Sequence, residues 1–256
     1  MSLVTNVDDI VRLKTGGKKL AEIRDRLLKE LIPGAVPLQI DHLAKELIAK
    51  AGGSPSFMTV KDYKWATCIS TNDGVVHGIP TTEPLNQGDI VGLDVGMLYE
   101  GWHTDTSWTK IVAKNSEFKA SREIEDFLKT GESALKKAIN EAKPGNRIGH
   151  ISQAIQKTVE GAGYSVVRSL AGHGVGRQLH ESPQIPGVLS HSIAKTPELV
   201  AGMVIAIEVI YNMGGPEIVY KNNDGWSLAT ADGSLSGLFE QTILVDTDGP
   251  IVLTQG

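Results

Sequence analysis

The sequence of 256 residues is poor in cysteine, in aromatic residues and in long apolar runs, and each shortage excludes a class of protein. A single cysteine, Cys68, rules out a disulfide framework and a cysteine-rich zinc module, and it is typical of a reducing compartment. The most apolar stretch, residues 203–211, is interrupted by Glu208 and is far too short to span a bilayer. No basic region followed by an apolar core opens the chain, so a signal peptide is not expected. Together these shortages predict a soluble, cytoplasmic protein.

The chain also has only a small excess of charges of one sign. The formal net charge is −5 and the isoelectric point is near 5.8, which predicts neither a nucleic-acid groove nor binding to an anionic membrane surface. Apolar residues make up 41% of the chain, so extended disorder is excluded. A chain of this length can bury roughly three quarters of its unfolded surface, so its core needs no disulfide or structural metal. One domain covering residues 1–256 is expected.

The spacing of apolar residues divides the chain into helices, strands, helices and strands. Apolar steps of three and four residues predict helix through most of the first sixty residues, with breaks at 33–34 and 52–53, and again over 124–138 and 148–162. Short β-like runs bounded by glycine, proline or asparagine predict strands at 74–77, 89–97, 103–112, 165–170, 203–211, 227–231 and 239–245. This order indicates an internal duplication.

One pair of segments supports the duplication. Residues 88–94 (Gly-Asp-Ile-Val-Gly-Leu-Asp) and 202–208 (Gly-Met-Val-Ile-Ala-Ile-Glu) align without a gap, with an acid six positions after the glycine in each. On a strand of period two, Asp94 and Glu208 would lie on the face opposite the branched apolar residues, among small neighbours. Two such halves related by a pseudo-twofold axis would bring the two acids together. Chance similarity between two strands is the alternative.

A second acid follows Asp94 at a distance that a hairpin explains. A two-residue turn at Glu100 and Gly101 would place Asp105 opposite Gly96, which makes Asp94 and Asp105 diagonal neighbours. Two such carboxylates repel each other unless they are protonated or bound to a cation. As an isolated pair, they would be equally consistent with ordinary solvated acids on a hairpin.

Two histidines stand beside a glycine, and a third lies in the same glycine-rich segment as one of them. The segment 172–183 reads Gly-His-Gly-Val-Gly-Arg-Gln-Leu-His-Glu-Ser-Pro, and its alternating glycines exclude a stable helix, so tight bends are expected to carry His173 and His180. His77 precedes Gly78 in the same way. Glu240 lies within an otherwise apolar β-like run. Four acids at unusual strand positions, together with these histidines, indicate a carboxylate-rich dinuclear metal site.

These segments, in this order and spacing, resemble the type I methionine aminopeptidases over nearly the full length of the chain. The resemblance is carried by residues 68–80, 88–94, 103–107, 172–183, 202–208 and 226–240. It implies the α+β pita-bread fold, in which two pseudo-twofold-related halves surround a central antiparallel sheet. It also implies removal of the initiator methionine from nascent chains whose second residue is small.

The resemblance further implies the roles of individual residues. Two divalent metal ions, which could be cobalt, manganese, iron or zinc, would be held by Asp94, Asp105, His173, Glu208 and Glu240. Asp94 would chelate one ion, His173 and Glu208 the other, and Asp105 and Glu240 would bridge both. Glu208 would also move the proton in catalysis, His180 would stabilise the oxyanion, and His77 would contact the substrate or protonate the leaving group.

The family pattern also implies a methionine pocket with apolar, polarizable walls. Its residues would be Phe57, Tyr63, Cys68, Leu179 and Trp226, for which ordinary core packing is the alternative. The chain departs from the family pattern at three positions: Val209 and Gln241 stand where proline and histidine are usual, and Lys64 stands where proline is usual. The departure at Lys64 puts the shape of the pocket in doubt.

Two other functions fit parts of the pattern. An Xaa-Pro peptidase would share the fold and all five metal ligands, although such relatives generally carry an added N-terminal domain for which this chain has no room. A non-catalytic binding protein of the same fold would typically have lost metal ligands, and none is lost here. The expected partners are nascent polypeptide N-termini and the ribosome, and the expected state is a monomer.

Overall fold

In the part of the chain that the structure describes, four helices lie against one face of a long antiparallel sheet. The computed structural model describes residues 2–115 and 118–256. The helices are α1 (Val7–Glu30), α2 (Pro37–Lys50), α3 (Arg122–Asn140) and α4 (Ile148–Gly161), with 3₁₀ turns at Phe57–Thr59 and Ile193–Lys195. The strands are β1 (Ser54–Pro55), β2 (Thr67–Thr71), β3 (Gly74–Val76), β4 (Ile90–Tyr99), β5 (Trp102–Ile111), β6 (Ser165–Val166), β7 (Ala171–Gly174), β8 (Glu181–Pro186), β9 (Val204–Asn212), β10 (Ile218–Tyr220), β11 (Leu228–Thr230), β12 (Ser236–Asp246) and β13 (Gly249–Val252).

The central sheet runs in the order β1-β4-β5-β12-β9-β7-β8. Strands β2, β6 and β13 pair at its margins with β4, β9 and β12, and all of these pairings are antiparallel. A separate three-stranded sheet has the order β10-β11-β3. The middle of the sheet therefore consists of four long neighbouring strands, β4, β5, β12 and β9. Side chains on the same face of these strands lie next to one another.

The expected duplication is visible as a helix pair followed by a strand pair, twice. Helices α1 and α2 pack on β4, with Val91, Leu93 and Val95 fully buried beneath them. Helices α3 and α4 pack on β9 and β12 in the same way, with Ile205 and Ile207 fully buried there. Because side chains alternate along a strand, this packing directs Asp94 and Glu208 to the opposite face of the sheet.

The two aligned glycines have the same backbone conformation. Gly88 and Gly202 each lie two residues before their strand, and their φ angles are +92° and +90°, in the region that favours glycine. The resemblance between residues 88–94 and 202–208 is therefore structural as well as sequential. The fold confirms the prediction of an α+β, pita-bread architecture with two similar halves.

The first helix begins at Val7, and a side chain caps its first turn. The side chain of Asn6 accepts a hydrogen bond from the backbone N–H of Asp8 and caps α1, while Asp8 and Asp9 place negative charge in its first turn. The helix continues through Gly16 and Gly17. The C-terminal segment packs so closely here that a Cβ at Gly17 would lie 2.4 Å from the carbonyl oxygen of Leu253. Close packing against the C-terminal segment thus outweighs the low helix propensity of two glycines.

Other predicted boundaries also shift. The expected helical character does not extend through residue 60, since residues 54–59 form a short strand and a 3₁₀ turn. The strand predicted over 165–170 is limited to Ser165–Val166, which pair with Asn212 and Tyr211 of β9. Among the described residues, no helix combines the length and the apolar character needed to cross a membrane.

Candidate active site

The β4–β5 hairpin places two carboxylates side by side. Glu100 and Gly101 form its turn with φ angles of +48° and +82°, as expected for the tight turns that suit antiparallel strands. In the resulting register, Asp105 is opposite Gly96 and Asp94 is opposite Ser107. Asp94 and Asp105 are therefore the diagonal neighbours that the sequence predicts.

Three more ligand-type side chains arrive from the other half. Glu208 on β9 and Glu240 on β12 are direct cross-strand partners, and Glu240 is also opposite Ser107 of β5. His173 lies on β7 opposite Ala206 of β9. His173 is thus held by strand pairing, and the expectation that a tight bend carries it is wrong. Gly172 permits this pairing, because a Cβ there would lie 2.4 Å from the carbonyl oxygen of Ala206.

The five side chains meet at one point in the sheet. Ligand atoms of Asp105, His173 and Glu240 all lie within 4.8 Å of one another, and all three residues are buried. His173 Nε2 is 3.6 Å from an oxygen of Glu208. His173 Nδ1 is 2.8 Å from the carbonyl oxygen of Gly174, which can only accept, so Nδ1 carries the proton. The lone pair on Nε2 therefore faces the carboxylates, as in a metal-ligating histidine.

The pKa values of the four carboxyl groups in this cluster are all raised above the usual range of carboxyls. Burial raises the pKa of Asp105 to about 7, and burial and then the charge of Asp105 raise the pKa of Glu208 to about 8. Burial and the charges of neighbouring acids raise the pKa values of Asp94 and Glu240 well above their usual range. Burial also lowers the pKa of His173 to about 4, so the imidazole is neutral. This environment disfavours four anions unless cations join them.

Buried carboxylate oxygens without a hydrogen-bond partner indicate whether the cluster can accept a metal ion. Among the residues that the structure describes, Asp94 Oδ1 and Glu240 Oε1 are buried without a hydrogen-bond partner. Orphaned carboxylate oxygens are costly, and a bound cation removes that cost. A donor set of several carboxylate oxygens and one imidazole nitrogen suits first-row divalent metals. The residues present therefore fit a divalent metal.

A cavity of about 160 Å³ opens onto this cluster. The structure brings all twelve residues selected from the sequence to its wall, together with Val60 and Val76, which the sequence did not single out: Phe57, Tyr63, Cys68, His77, Asp94, Asp105, His173, Leu179, His180, Glu208, Trp226 and Glu240. Val76 lies in the strand predicted over 74–77 and directly precedes His77, so its position beside that histidine was an available signal. Nothing in the sequence separates Val60 from a core valine.

One part of the cavity is apolar and built from aromatic rings. Phe57, Tyr63, Cys68 and Leu179 form a small buried cluster against which Trp226 packs. The ring centroids of Tyr63 and Trp226 are 5.0 Å apart in an edge-to-face contact, and the Tyr63 hydroxyl is 3.1 Å from Cys68 Sγ. Burial raises the pKa values of Tyr63 and Cys68, so both side chains are neutral. Cys68 on β2 is directly opposite Asp94 on β4, so this apolar chamber adjoins the carboxylates.

Two further histidines line the same cavity. His77 follows β3 with a φ of +55°, a conformation uncommon for any residue other than glycine, and His180 follows the glycine-rich loop after β7. The rings of His173 and His180 have centroids 4.4 Å apart. Desolvation lowers the pKa values of both His77 and His180, and His180 adds to the effect at His77. Each is therefore a neutral imidazole with one N–H to donate.

Comparison with known proteins decides the family. The profile of metallopeptidase family M24 matches residues 12–247. The chain belongs to this family. It is 38% identical over 254 residues to the methionine aminopeptidase of Clostridium perfringens, covering 99% of each chain, and 38% identical over 243 residues to methionine aminopeptidase 1 of Bacillus subtilis, covering 95% of each. M24 peptidases use divalent metal, in agreement with the buried cluster.

Solved structures agree with the sequence relatives. The crystal structure of a methionine aminopeptidase from Thermotoga maritima superposes with a TM-score of 0.93 at 36% identity, with 100% of both chains covered. A prolidase from Pyrococcus furiosus has a TM-score of 0.78 at 20% identity, and the match covers 99% of this chain but 66% of the prolidase. The prolidase shares the fold. The M24 relatives that match at 34% identity or more over nearly the whole chain favour the aminopeptidase over the two alternative functions.

The three departures from the family pattern do not line the cavity. Val209 is fully buried beneath α3 and α4, on the face of β9 away from the cavity. Gln241 also lies on the far face, where its amide nitrogen is 3.5 Å from the carbonyl oxygen of Thr254. Lys64 is exposed. Lys64 directly follows Tyr63, which does line the cavity, so its effect on the shape of the pocket stays a prediction.

Proposed function

We propose that the protein removes methionine from the N-termini of polypeptides whose second residue is small. The observation that carries the proposal is a single cavity with a carboxylate–imidazole cluster beside an apolar aromatic chamber. An exopeptidase needs these two parts next to each other, because the bond to be cleaved lies one residue from the side chain to be recognised. The relatives named methionine aminopeptidase support the same conclusion.

The proposal assigns two divalent ions to the cluster. The residues that would hold them are Asp94, Asp105, His173, Glu208 and Glu240. Four carboxylates and two dications make the site nearly neutral, which accounts for the burial of so many acids at one point. Such ions would supply a water molecule acidic enough to attack at neutral pH and would polarise the scissile carbonyl. Manganese, iron, cobalt and zinc all suit this donor set.

Three side chains would carry out the proton transfers and charge stabilisation. Glu208 would accept a proton from the attacking water and pass it to the leaving amine. His180 donates a ring N–H to the carbonyl oxygen as negative charge develops on it. His77 contacts the substrate next to the leaving amide. Because the pKa values of both histidines are lowered, each is neutral and able to donate at pH 7.

The apolar chamber would recognise the methionine side chain. Phe57, Tyr63 and Trp226 supply aromatic walls, and Cys68 and Leu179 complete them with a sulfur and a branched alkyl group. Thioether sulfur is polarizable and contacts ring edges favourably, so methionine gains more here than leucine. The loop that bears His77 would crowd the second residue of the substrate.

The remaining assignments follow from this function. The substrates would be nascent polypeptides, which places the protein in the cytoplasm and near the ribosome, acting as a monomer with residues 1–256 as one catalytic domain. The single cysteine is consistent with a reducing compartment.

A peptide panel tests the proposal. The protein is loaded with manganese or cobalt, and release of the first residue is measured from Met-Ala-Ser, Met-Gly-Ser, Leu-Ala-Ser, Phe-Ala-Ser and Ala-Pro-Ser. We expect rapid release of methionine and much slower release of leucine. Equal rates for Met, Leu and Phe would remove the methionine assignment and retain a metallo-aminopeptidase. Cleavage of Ala-Pro-Ser alone would identify an Xaa-Pro peptidase, and metal binding without any cleavage would identify a binding protein.

A further inference from the structure

A buried acid outside the cavity has no role in the proposed chemistry. Asp41 lies on α2 and is 4% exposed. Its Oδ1 atom accepts three hydrogen bonds: from the backbone N–H of Ala66 at 2.8 Å, from the backbone N–H of Thr67 at 2.9 Å and from the Thr67 hydroxyl at 2.8 Å. One oxygen therefore fixes the point at which the chain enters strand β2. Helix α2 and the sheet are joined at this atom.

Thr67, which Asp41 anchors, is in direct contact with a residue of the apolar chamber. The carbonyl oxygen of Thr67 accepts a hydrogen bond of 2.8 Å from the hydroxyl of Tyr63, and that hydroxyl lies 3.1 Å from Cys68 Sγ. Tyr63 and Cys68 both line the cavity, whereas Asp41 does not. A continuous series of polar contacts thus runs from Asp41 through Thr67 to two walls of the chamber.

The chamber needs such an anchor because of where its residues lie. Tyr63 belongs to the irregular segment between the 3₁₀ turn Phe57–Thr59 and β2, where no strand pairing holds the backbone. Strand pairing begins at Thr67, opposite Val95, and Cys68 follows opposite Asp94. Without the three hydrogen bonds to Asp41, the first residue of β2 would be free to fray. The hydroxyl of Tyr63 would then lose the fixed position of its acceptor, the carbonyl oxygen of Thr67.

We propose that Asp41 is a positioning residue for the methionine pocket, which sets selectivity for the first side chain of the substrate by fixing Tyr63 and Cys68. This inference rests on the proposed function. All three bonds go to one oxygen, so a side-chain amide oxygen at the same place would offer the same acceptor. The variant Asp41→Asn keeps that acceptor, and Asp41→Ala removes it.

Cys68 provides a readout that needs no enzyme activity. It is the single cysteine of the chain and is 6% exposed, so the rate of thiol labelling of the folded protein reports on this one wall of the pocket. The rate of labelling with an aromatic disulfide reagent would be compared among the wild type, Asp41→Ala, Asp41→Asn and Thr67→Val. Thr67→Val removes one of the three donors and keeps nearly the same side-chain shape. It is the variant to use if Asp41→Ala is too unstable to fold.

A matched control separates positioning from general loss of stability. Tyr211 is fully buried in the other half, where its hydroxyl donates a hydrogen bond of 2.6 Å to the carbonyl oxygen of Phe127. Tyr211→Phe removes a buried hydrogen bond and touches no wall of the cavity. It should lower the melting temperature without changing the thiol labelling rate or the KM.

The two readouts give distinct expectations. For Asp41→Ala we expect faster labelling of Cys68, a KM for Met-Ala-Ser raised about tenfold and a kcat within about twofold of wild type, with a smaller preference for Met over Leu. Thr67→Val should show a smaller increase in labelling, and Asp41→Asn should match the wild type. Bound divalent metal should be unchanged in all of them.

Specific results would overturn the inference. It is wrong if Asp41→Ala and Thr67→Val leave both the labelling rate and the Met-to-Leu preference unchanged. It is also wrong if Asp41→Asn is as defective as Asp41→Ala, or if Tyr211→Phe increases labelling equally. A wild type that cleaves no methionine peptide would refute the proposed function instead, and the labelling series would still decide whether Asp41 positions the pocket.

Discussion

Above pH 6.5, the metal-free protein should lose stability as the pH rises, because its buried acids must give up protons inside the cavity. A carboxyl whose folded pKa is raised keeps a proton that the unfolded chain has already released, so the free energy of unfolding falls until the pH passes the folded pKa. Neutral histidines such as His173 act in the opposite direction, but only below their unfolded value of 6.5. The window from pH 6.5 to 8.5 therefore isolates the acids.

The size of the loss follows from the raised pKa values. Glu208 keeps its proton up to about pH 8, and each pH unit corresponds to about 1.4 kcal/mol, so this residue alone lowers the free energy of unfolding by about 2 kcal/mol between pH 6.5 and 8. Asp94 and Glu240, whose pKa values are also raised by burial, act in the same direction. For a chain of this length, about 2 kcal/mol lowers the melting temperature by about 4 to 8 °C.

The assay is a thermal melt of chelator-treated, dialysed protein at pH 6.5 and pH 8.5. We expect the lower melting temperature at pH 8.5, and we expect added Mn²⁺ to raise it more at pH 8.5 than at pH 6.5. Glu208→Gln is the matched control, since its amide does not titrate and the decrease should become smaller. A melting temperature that is constant or rises between the two pH values in the metal-free protein would refute this account of the cluster.

Three further predictions concern single side chains. His180→Ala should keep its divalent metal, measured by atomic emission, while kcat for Met-Ala-Ser falls by about 10²- to 10³-fold, because a transition-state donor is lost; loss of metal as ready as in Glu240→Ala would contradict the assigned role. Cys68→Phe should weaken methionine recognition by about 1–3 kcal/mol, seen as a raised KM, because it overfills the chamber; an unchanged KM would place the pocket elsewhere. Gly131→Ala should destabilise the fold by about 1–3 kcal/mol in denaturant unfolding despite its better helix propensity, because the new Cβ would lie 2.4 Å from the Phe239 ring. An unchanged or raised unfolding free energy would show that this contact relaxes freely.

The parts of the site that depend on local geometry could be predicted from the sequence. Alternation of side chains and a two-residue turn suffice to make Asp94 and Asp105 neighbours, and the structure has that register. The aligned glycines at 88 and 202 likewise locate the two strands that carry Asp94 and Glu208. Such features require only residues close together in the chain.

Features that depend on distant segments were not predictable in this way. His173 looks like a bend residue among glycines, but it lies on a strand because Ala206 offers a partner edge and Gly172 has no side chain to obstruct it. Gly17 likewise suits α1 only because Leu253 packs there from the other end of the chain. The position of Val60 in the cavity wall also depends on tertiary packing that its neighbours in sequence do not reveal.

The central claim is that the buried cluster binds divalent metal in order to release N-terminal methionine. The most direct measurement is a titration of chelator-treated protein with Mn²⁺, in which the rate of methionine release from Met-Ala-Ser is followed at each added equivalent. We expect no release without metal and a rate that rises to a plateau as about two equivalents bind. Absence of methionine release at every metal ratio, or an equal rate in the chelated protein, would contradict the claim.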